Sequence, residues 1–389
     1  IILGVVLLGV ITAGIAALRL SNNQDKNVQK AEKTAVVNTD DKPFYYVEKK
    51  LYEEHGIPEH LALYFVNYKG NTAKAIETEG GMKLVNMKNM KNVADVPREV
   101  IANSTGYWID EDSNFVTVNY NKEKKAVLVR TFDKNGKEVK EPVALKEFGG
   151  ETHDDSYINV MEFRTDSKYI YLVSVGDSHP ALQIFNKDGS LHENYDDIRS
   201  FDIDCKGNIY TTFDVSDEHE YSGFEKIDVE SGKVQYSIET KIYPNFIRYN
   251  KEKDSVYVMN YKEITRYNAS DGKSGKNIFT FGKDSTYALD SLQVQDFFVG
   301  SEENLYISLF YFEGDKDINL YYGYEPKEGT RPERAVTLTV TAPYRQDFLS
   351  DAITRYEMKY PDQKVKYDYK YNSEEEFVAN TEQYGQQLA

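Results

Sequence analysis

Cysteine is almost missing from this chain. Cys205 is the only one in 389 residues, which excludes an intrachain disulfide and a cysteine-ligated metal cluster. Tryptophan is equally scarce, with Trp108 alone, and there are six histidines. His55 and His60 stand five apart with Pro58 between them, so they cannot share a helical face. His153, His179, His192 and His219 fall in separate segments, and no zinc-binding spacing results. Basic residues are outnumbered 64 to 47, and the formal net charge of −17 excludes nucleic acid as a partner class. Also missing are a Gly-x-Ser-x-Gly elbow, a phosphate loop and a dinucleotide fingerprint. Asp202 to Gly207 begins like a calcium loop, yet Lys206 replaces the third acidic ligand and Phe213 stands at position twelve, so a turn is the better reading. Cys205 has no nearby histidine and reads as a buried structural thiol in a strand. No catalytic residue, metal ligand or cofactor is assigned, and the chain is not expected to be an enzyme.

Long apolar runs are confined to the start. Ile1 to Leu18 is apolar or small except for Thr12, long enough for a membrane core, and Arg19 follows it directly. Residues 1–20 therefore read as a transmembrane or signal helix, with the uncleaved anchor favoured. Residues 21–42, rich in Asn, Asp, Lys and Thr, read as a flexible stalk. Lys49 to His60 reads as a short helix.

What the chain has in quantity is tyrosine (32) and phenylalanine (19), residues that suit half-buried strands. From about Ala62 to Arg331 two signatures alternate. One is a charged or small turn followed by a short aromatic strand, as in Asp112–Val116, Asp166–Tyr171, Lys206–Tyr210, Lys253–Tyr257 and Glu303–Tyr306. Its tyrosines 171, 210, 257 and 306 recur at intervals of 39, 47 and 49 residues. The other is a strand entering a hairpin turn, with Gly136, Gly189, Gly232 and Gly272 spaced 53, 43 and 40 apart. Two hairpin signatures per roughly 45 residues describe a four-stranded antiparallel blade. Blades cannot bury both faces alone, so copies must stack in a closed ring. Residues 43–334 are therefore expected to form an all-β propeller of about six blades, with Leu61–Tyr68 as the strand that completes the last one.

The pattern changes in the tail. Val336, Leu338 and Val340 alternate with threonines, then Leu349, Ile353, Tyr356 and Tyr360 recur on one helical face. Asp347 can cap that helix and Pro361 stops it. Val365, Tyr367, Tyr369 and Tyr371 mark a second strand, and Ser373 with Glu376 forms a capping box for another helix. Strand, crossover helix and strand make a parallel unit.

The strand LTVTAPY (338–344), the helix FLSDAITRYEMKYPDQKV (348–365) and the acidic-aromatic helix after them resemble the mature start of extracellular solute-binding proteins of the sugar-binding type, components of ABC importers. The order of propeller, Pro-containing loop and this unit resembles a clostridial-type arrangement, with a propeller between membrane and binding domain. The resemblance implies that residues 335–389 are the N-terminal fragment of an α/β periplasmic-binding-protein-like domain. It further implies that Tyr344, Arg345, Gln346 and Asp347 contact the ligand, at the strand end where open α/β sheets bind. The implied partners are a transporter permease, a sugar or oligosaccharide, and the membrane through the N-terminal helix, on the extracellular face of a Gram-positive-like cell. The leading expectation is thus a membrane-tethered solute-binding protein for carbohydrate uptake. The alternatives are a cell-surface propeller for binding or adhesion and, third, a propeller enzyme acting on polysaccharide.

Overall fold

The computed structural model describes residues 44–388 apart from 56–64, 79–80, 97–99, 101–103, 149–151, 154–156, 159, 176–179, 216–219, 288–292, 314–315 and 333–335. The expected membrane or signal helix and the stalk lie outside the described residues. Among those described, no helix is long and apolar enough to cross a membrane.

Six four-stranded antiparallel sheets follow one another and form a six-bladed propeller. Blade one comprises Val66–Tyr68, Asn71–Thr78, Gly81–Asn86 and Asn92–Val96, and blade two Gly106–Ile109, Phe115–Asn121, Ala126–Phe132 and Glu138–Ala144. Blade three comprises Val160–Thr165, Tyr169–Val175, Pro180–Asn186 and Leu191–Asp196, and blade four Phe201–Ile203, Asn208–Phe213, Gly223–Asp228 and Lys233–Glu239. Blade five comprises Phe246–Asn250, Ser255–Met259, Glu263–Asn268 and Lys276–Thr280. Blade six takes Gln293–Val299, Leu305–Glu313 and Lys316–Glu328, and its outer strand is Phe44–His55 from the other end of the chain.

The repeat signatures map directly onto this frame. The aromatic strands after charged turns are the second strands of blades two to six, and the hairpin glycines lie between third and fourth strands of blades two to five. Gly189 needs to be glycine: its φ is +81°, and a Cβ there would meet the Ala144 carbonyl oxygen at 2.0 Å.

Two local expectations are corrected. The helix expected at Lys49–His60 is corrected in its first part, and its remainder lies outside the described residues. Phe44–His55 is a strand, and it closes the ring. The long third strand of blade six offers it an open edge from Ile318 to Glu328, and tertiary pairing outweighs the weak helical pattern. Val66–Tyr68, expected to close the ring, is instead the innermost strand of blade one.

After the ring, Val336–Tyr344 and Lys364–Tyr371 pair in parallel around helix α1 (Asp347–Lys359), and helix α2 (Glu374–Leu388) follows. Glu376 N donates to Ser373 Oγ (3.2 Å), the forward arm of the capping box that the spacing predicts, while Glu376 Oε2 accepts from Asn372 N (2.9 Å), one residue before the cap. This is a small strand–helix–strand–helix unit, and the α/β periplasmic-binding-protein-like domain of which it is expected to be the start is not shown.

Candidate functional site

Each seam of the ring is built from alternating strand residues that meet the next blade. The tyrosines that mark the repeat sit in these seams. Tyr171 lies 5.9 Å from Phe201, Tyr210 stacks 5.6 Å from Tyr249, and Tyr306 lies 6.3 Å from Phe65, each ring on the following blade. Tyr257 reaches across with its hydroxyl, which donates to Glu303 Oε1 at 2.7 Å. Tyr171 and Tyr210 donate to Asp166 Oδ2 (2.8 Å) and Asp204 Oδ2 (3.2 Å) in their own blades' turns. Burial, then the neighbouring carboxylates, holds these three hydroxyls well above the ordinary phenol range.

The innermost strands carry a second, ionic layer. Arg248 of blade five donates through Nη2 to Asp296 Oδ1 of blade six (2.5 Å) and Glu162 Oε1 of blade three (3.1 Å). Its Nη1 bonds Ser200 Oγ (3.1 Å) and the Ile247 carbonyl (2.7 Å), and Nε the Phe297 carbonyl (2.9 Å). Ser200 Oγ donates to Glu162 Oε1 (2.8 Å), and Phe201 N to Glu162 Oε2 (3.2 Å). Arg164 lies 3.4 Å from Asp202 Oδ1 and packs over Trp108, 4.7 Å from its ring centre. Phe65 N of blade one donates to Asp296 Oδ2 (2.7 Å). One connected set of buried groups therefore ties blades three, four, five, six and one together. Burial lifts the Glu162 carboxyl above its ordinary value against the pull of Arg248 and Arg164. Burial works against the Arg248 charge, but Glu162, Asp296 and Asp202 outweigh it and hold the guanidinium above its usual value.

Chemically this hub is saturated. Its carboxylates are committed to guanidinium and backbone donors, so it fixes the ring rather than offering a base or nucleophile. Motif reading missed it. The available signal was a lone charge amid apolar strand residues: Glu162 and Arg164 around Phe163, Arg248 after Phe246-Ile247, and Asp296 before Phe297-Phe298.

Tyr344, Arg345, Gln346 and Asp347 do gather in one loop at the end of the first parallel strand. The Tyr344 ring packs 5.6 Å from Phe377, and Arg345 N donates to the Tyr371 carbonyl (2.8 Å). Gln346 N donates to the Tyr367 hydroxyl (2.9 Å), and Gln346, not Asp347, occupies the cap position, without a side-chain bond. The Asp347 side chain is 97% exposed and 4.0 Å from Arg345 Nε. A shallow hollow of about 380 Å³ lies instead on α2, between Glu374, Glu375, Val378 and Ala379. Cys205, expected to be buried in a strand, is exposed in a turn of blade four. No group of three or more potential metal ligands occurs among the described residues.

The two ends of the ring differ in surface. In an antiparallel meander the blade-to-blade connections and the loops between second and third strands share one end, and the remaining turns share the other. At the connection end Met161, Val215 and Tyr261 are exposed, Val215 by 63%. At the turn end Val139 is exposed by 43%, while Met87 and Val229 are fully buried. Arg199, also at the connection end, is exposed over the Tyr243 ring at 5.5 Å.

No family model matches the chain, and no curated protein does. Among solved structures it is similar to Hsv2 of Kluyveromyces lactis, with a TM-score of 0.42 and 13% identity over 65% of this chain and 75% of that one. It is also similar to the WD40 domain of Neurospora crassa Pan2, with a TM-score of 0.42 and 9% identity over 73% of this chain and 86% of that one. A luciferin-regenerating enzyme aligns with a TM-score of 0.42 and 10% identity, over 72% and 95% of the two chains. Likeness at this level concerns the fold and says nothing of activity.

The expectation of a solute-binding component of an ABC importer is corrected by these findings. No family model matches the chain, and the described residues show a six-bladed propeller and one strand–helix–strand–helix unit without a solute-binding cleft. The permease and sugar were implied by that resemblance alone and are not carried forward.

Proposed function

We propose that this chain is a non-catalytic β-propeller binding module that engages a macromolecular partner, protein or glycan, through the connection end of the ring. The observation that carries the reading is the asymmetry between the ends: Met161, Val215 and Tyr261 stand exposed at one, while at the other Val139 is exposed and Met87 and Val229 are buried. Exposed aromatic and aliphatic side chains on a rigid scaffold are what a partner's surface anchors on. The hub beneath supplies that rigidity. With Ile1–Leu18 as an anchor, the module would stand at a cell surface.

The test is binding of the immobilised chain to a glycan array and to a cell-surface protein extract. Val215→Asp with Tyr261→Ala is expected to weaken the bound partner about tenfold or more. Asp112→Ala with Lys134→Ala, at the turn end, should leave binding unchanged, as should deletion of residues 336–389. Loss of binding on that deletion, with no response to the connection-end changes, would move the function to the tail.

A further inference from the structure

One seam of the ring has, among the described residues, a smaller buried apolar cluster than the other five. Among the described residues, the cluster between blades six and one holds four buried apolar side chains, Phe65, Met87, Tyr306 and Tyr321, whereas the next smallest holds eight. Strand register places Asp296, Ser308 and Tyr321 in one row across blade six, and Phe310 and Asn319 in the adjacent row on the same face. Above that face stands Lys74 of blade one, fully buried, its Nζ 4.6 Å from the Phe65 ring centre and 4.8 Å from that of Tyr321. Ser308 and Asn319 are also fully buried. Of ten buried side-chain polar atoms without a hydrogen-bond partner among the described residues, three are on this face: Ser308 Oγ, Asn319 Oδ1 and Asn319 Nδ2. The others occur singly, on seven different residues.

We infer that the seam between blades six and one is a binding site for internal water, held by Ser308 and Asn319 beside Lys74. Leaving a buried polar group unpaired forfeits its hydration with nothing in return, so three on one face call for a ligand rather than a void. The charge balance selects a neutral one. Asp296, the carboxylate in this row, is already paired with Arg248, and Ser308 and Asn319 carry no charge to balance an ion. No set of three potential cation ligands lies among the described residues. A hydroxyl and an amide together offer donors and acceptors in the mixture that water completes.

A high-resolution crystal structure of the chain grown with bromide as the halide tests this. Ordered water within hydrogen-bond distance of Ser308 Oγ and of an Asn319 amide atom is the expected result. A bromide peak at the seam, or Ser308 and Asn319 paired directly with protein groups, would overturn it. In solution, Asn319→Leu should lower the folding equilibrium constant about tenfold or more, because it displaces the water that serves Ser308. A gain in stability would mean a dry seam whose amide was a burden. Should the variant fail to fold, the wild-type crystal decides alone.

Discussion

The ring and the tail treat their apolar and charged residues in opposite ways. In the ring, aromatic side chains lie in seams between blades and the inner-strand charges are paired in a buried hub. Of the eleven exposed large apolar side chains among the described residues, six fall in the tail between Val336 and Val378 and five in the longer ring. The tail's links to the ring are slight, with Met358 packed against the blade five–six cluster and Arg355 over the Tyr311 ring at 5.5 Å. The ring gains cooperativity because each blade completes its neighbours. The tail has two strands and nothing equivalent across the sheet, and parallel sheets of that size bury little. Stability should therefore respond steeply to hub changes and weakly to tail changes.

The largest effect is expected at Arg248. Arg248→Ala leaves Glu162 and Asp296 buried without their shared partner, which costs about 3–5 kcal/mol. Urea unfolding should show the midpoint falling accordingly. A loss under 1 kcal/mol would mean that solvent reaches the axis and that the hub does not hold the blades.

Next comes the closing strand. Glu48 accepts from Thr286 N (2.9 Å), Thr286 Oγ1 (2.6 Å) and the Tyr324 hydroxyl (3.1 Å), so it ties Phe44–His55 to blades five and six. Burial raises its carboxyl above the ordinary 4.5 despite these bonds. The folded ring thus holds the proton more tightly than the unfolded chain does. The stability this gives is complete below 4.5 and is lost as pH climbs through the raised value. Glu48→Gln should cost about 1–3 kcal/mol at acid pH and less at neutral pH. Urea midpoints of both proteins between pH 4 and 8 would reveal a gap that widens on acidification, and a gap independent of pH would refute the assignment.

A single seam hydroxyl is worth less. Tyr210→Phe keeps the ring against Tyr249 and removes the bonds to Asp204 and to the Ala269 carbonyl, for about 1 kcal/mol. Calorimetry should place it well above the tail variants and well below Arg248→Ala.

How much of this was legible depended on whether the signal was local. Blade turns are local: Asp166, Asp204 and Asp133 fold back onto backbone amides two to four residues on, so both the period and the blade boundaries stood in the sequence. The capping box at Ser373 was local too. Ring closure was not, because Phe44–His55 and Lys316–Glu328 are joined across the whole propeller and only their pairing makes the first a strand. The hub was illegible for the same reason, since Glu162, Arg248 and Asp296 are separated by dozens of residues and meet only at the axis. The tail misled in another way. Its strand, helix and stop signals were read correctly, but a local unit of that kind occurs in many folds, and its resemblance to one family carried the function too far.

The weakest expected response is the sharpest check on the comparison. Leu338 lies in the first parallel strand, opposite Val365, and is 46% exposed. Leu338→Thr removes apolar surface that already faces solvent and places a β-branched side chain in the strand, so its effect should stay within about 0.5 kcal/mol. Deleting residues 336–389 should likewise leave the ring's unfolding midpoint nearly unchanged, since the tail meets it through small contacts such as Met358 and Arg355. If instead Leu338→Thr costs as much as a seam residue, the exposed face of the tail is covered in solution. The contrast drawn between a self-sufficient ring and an open tail would then be wrong.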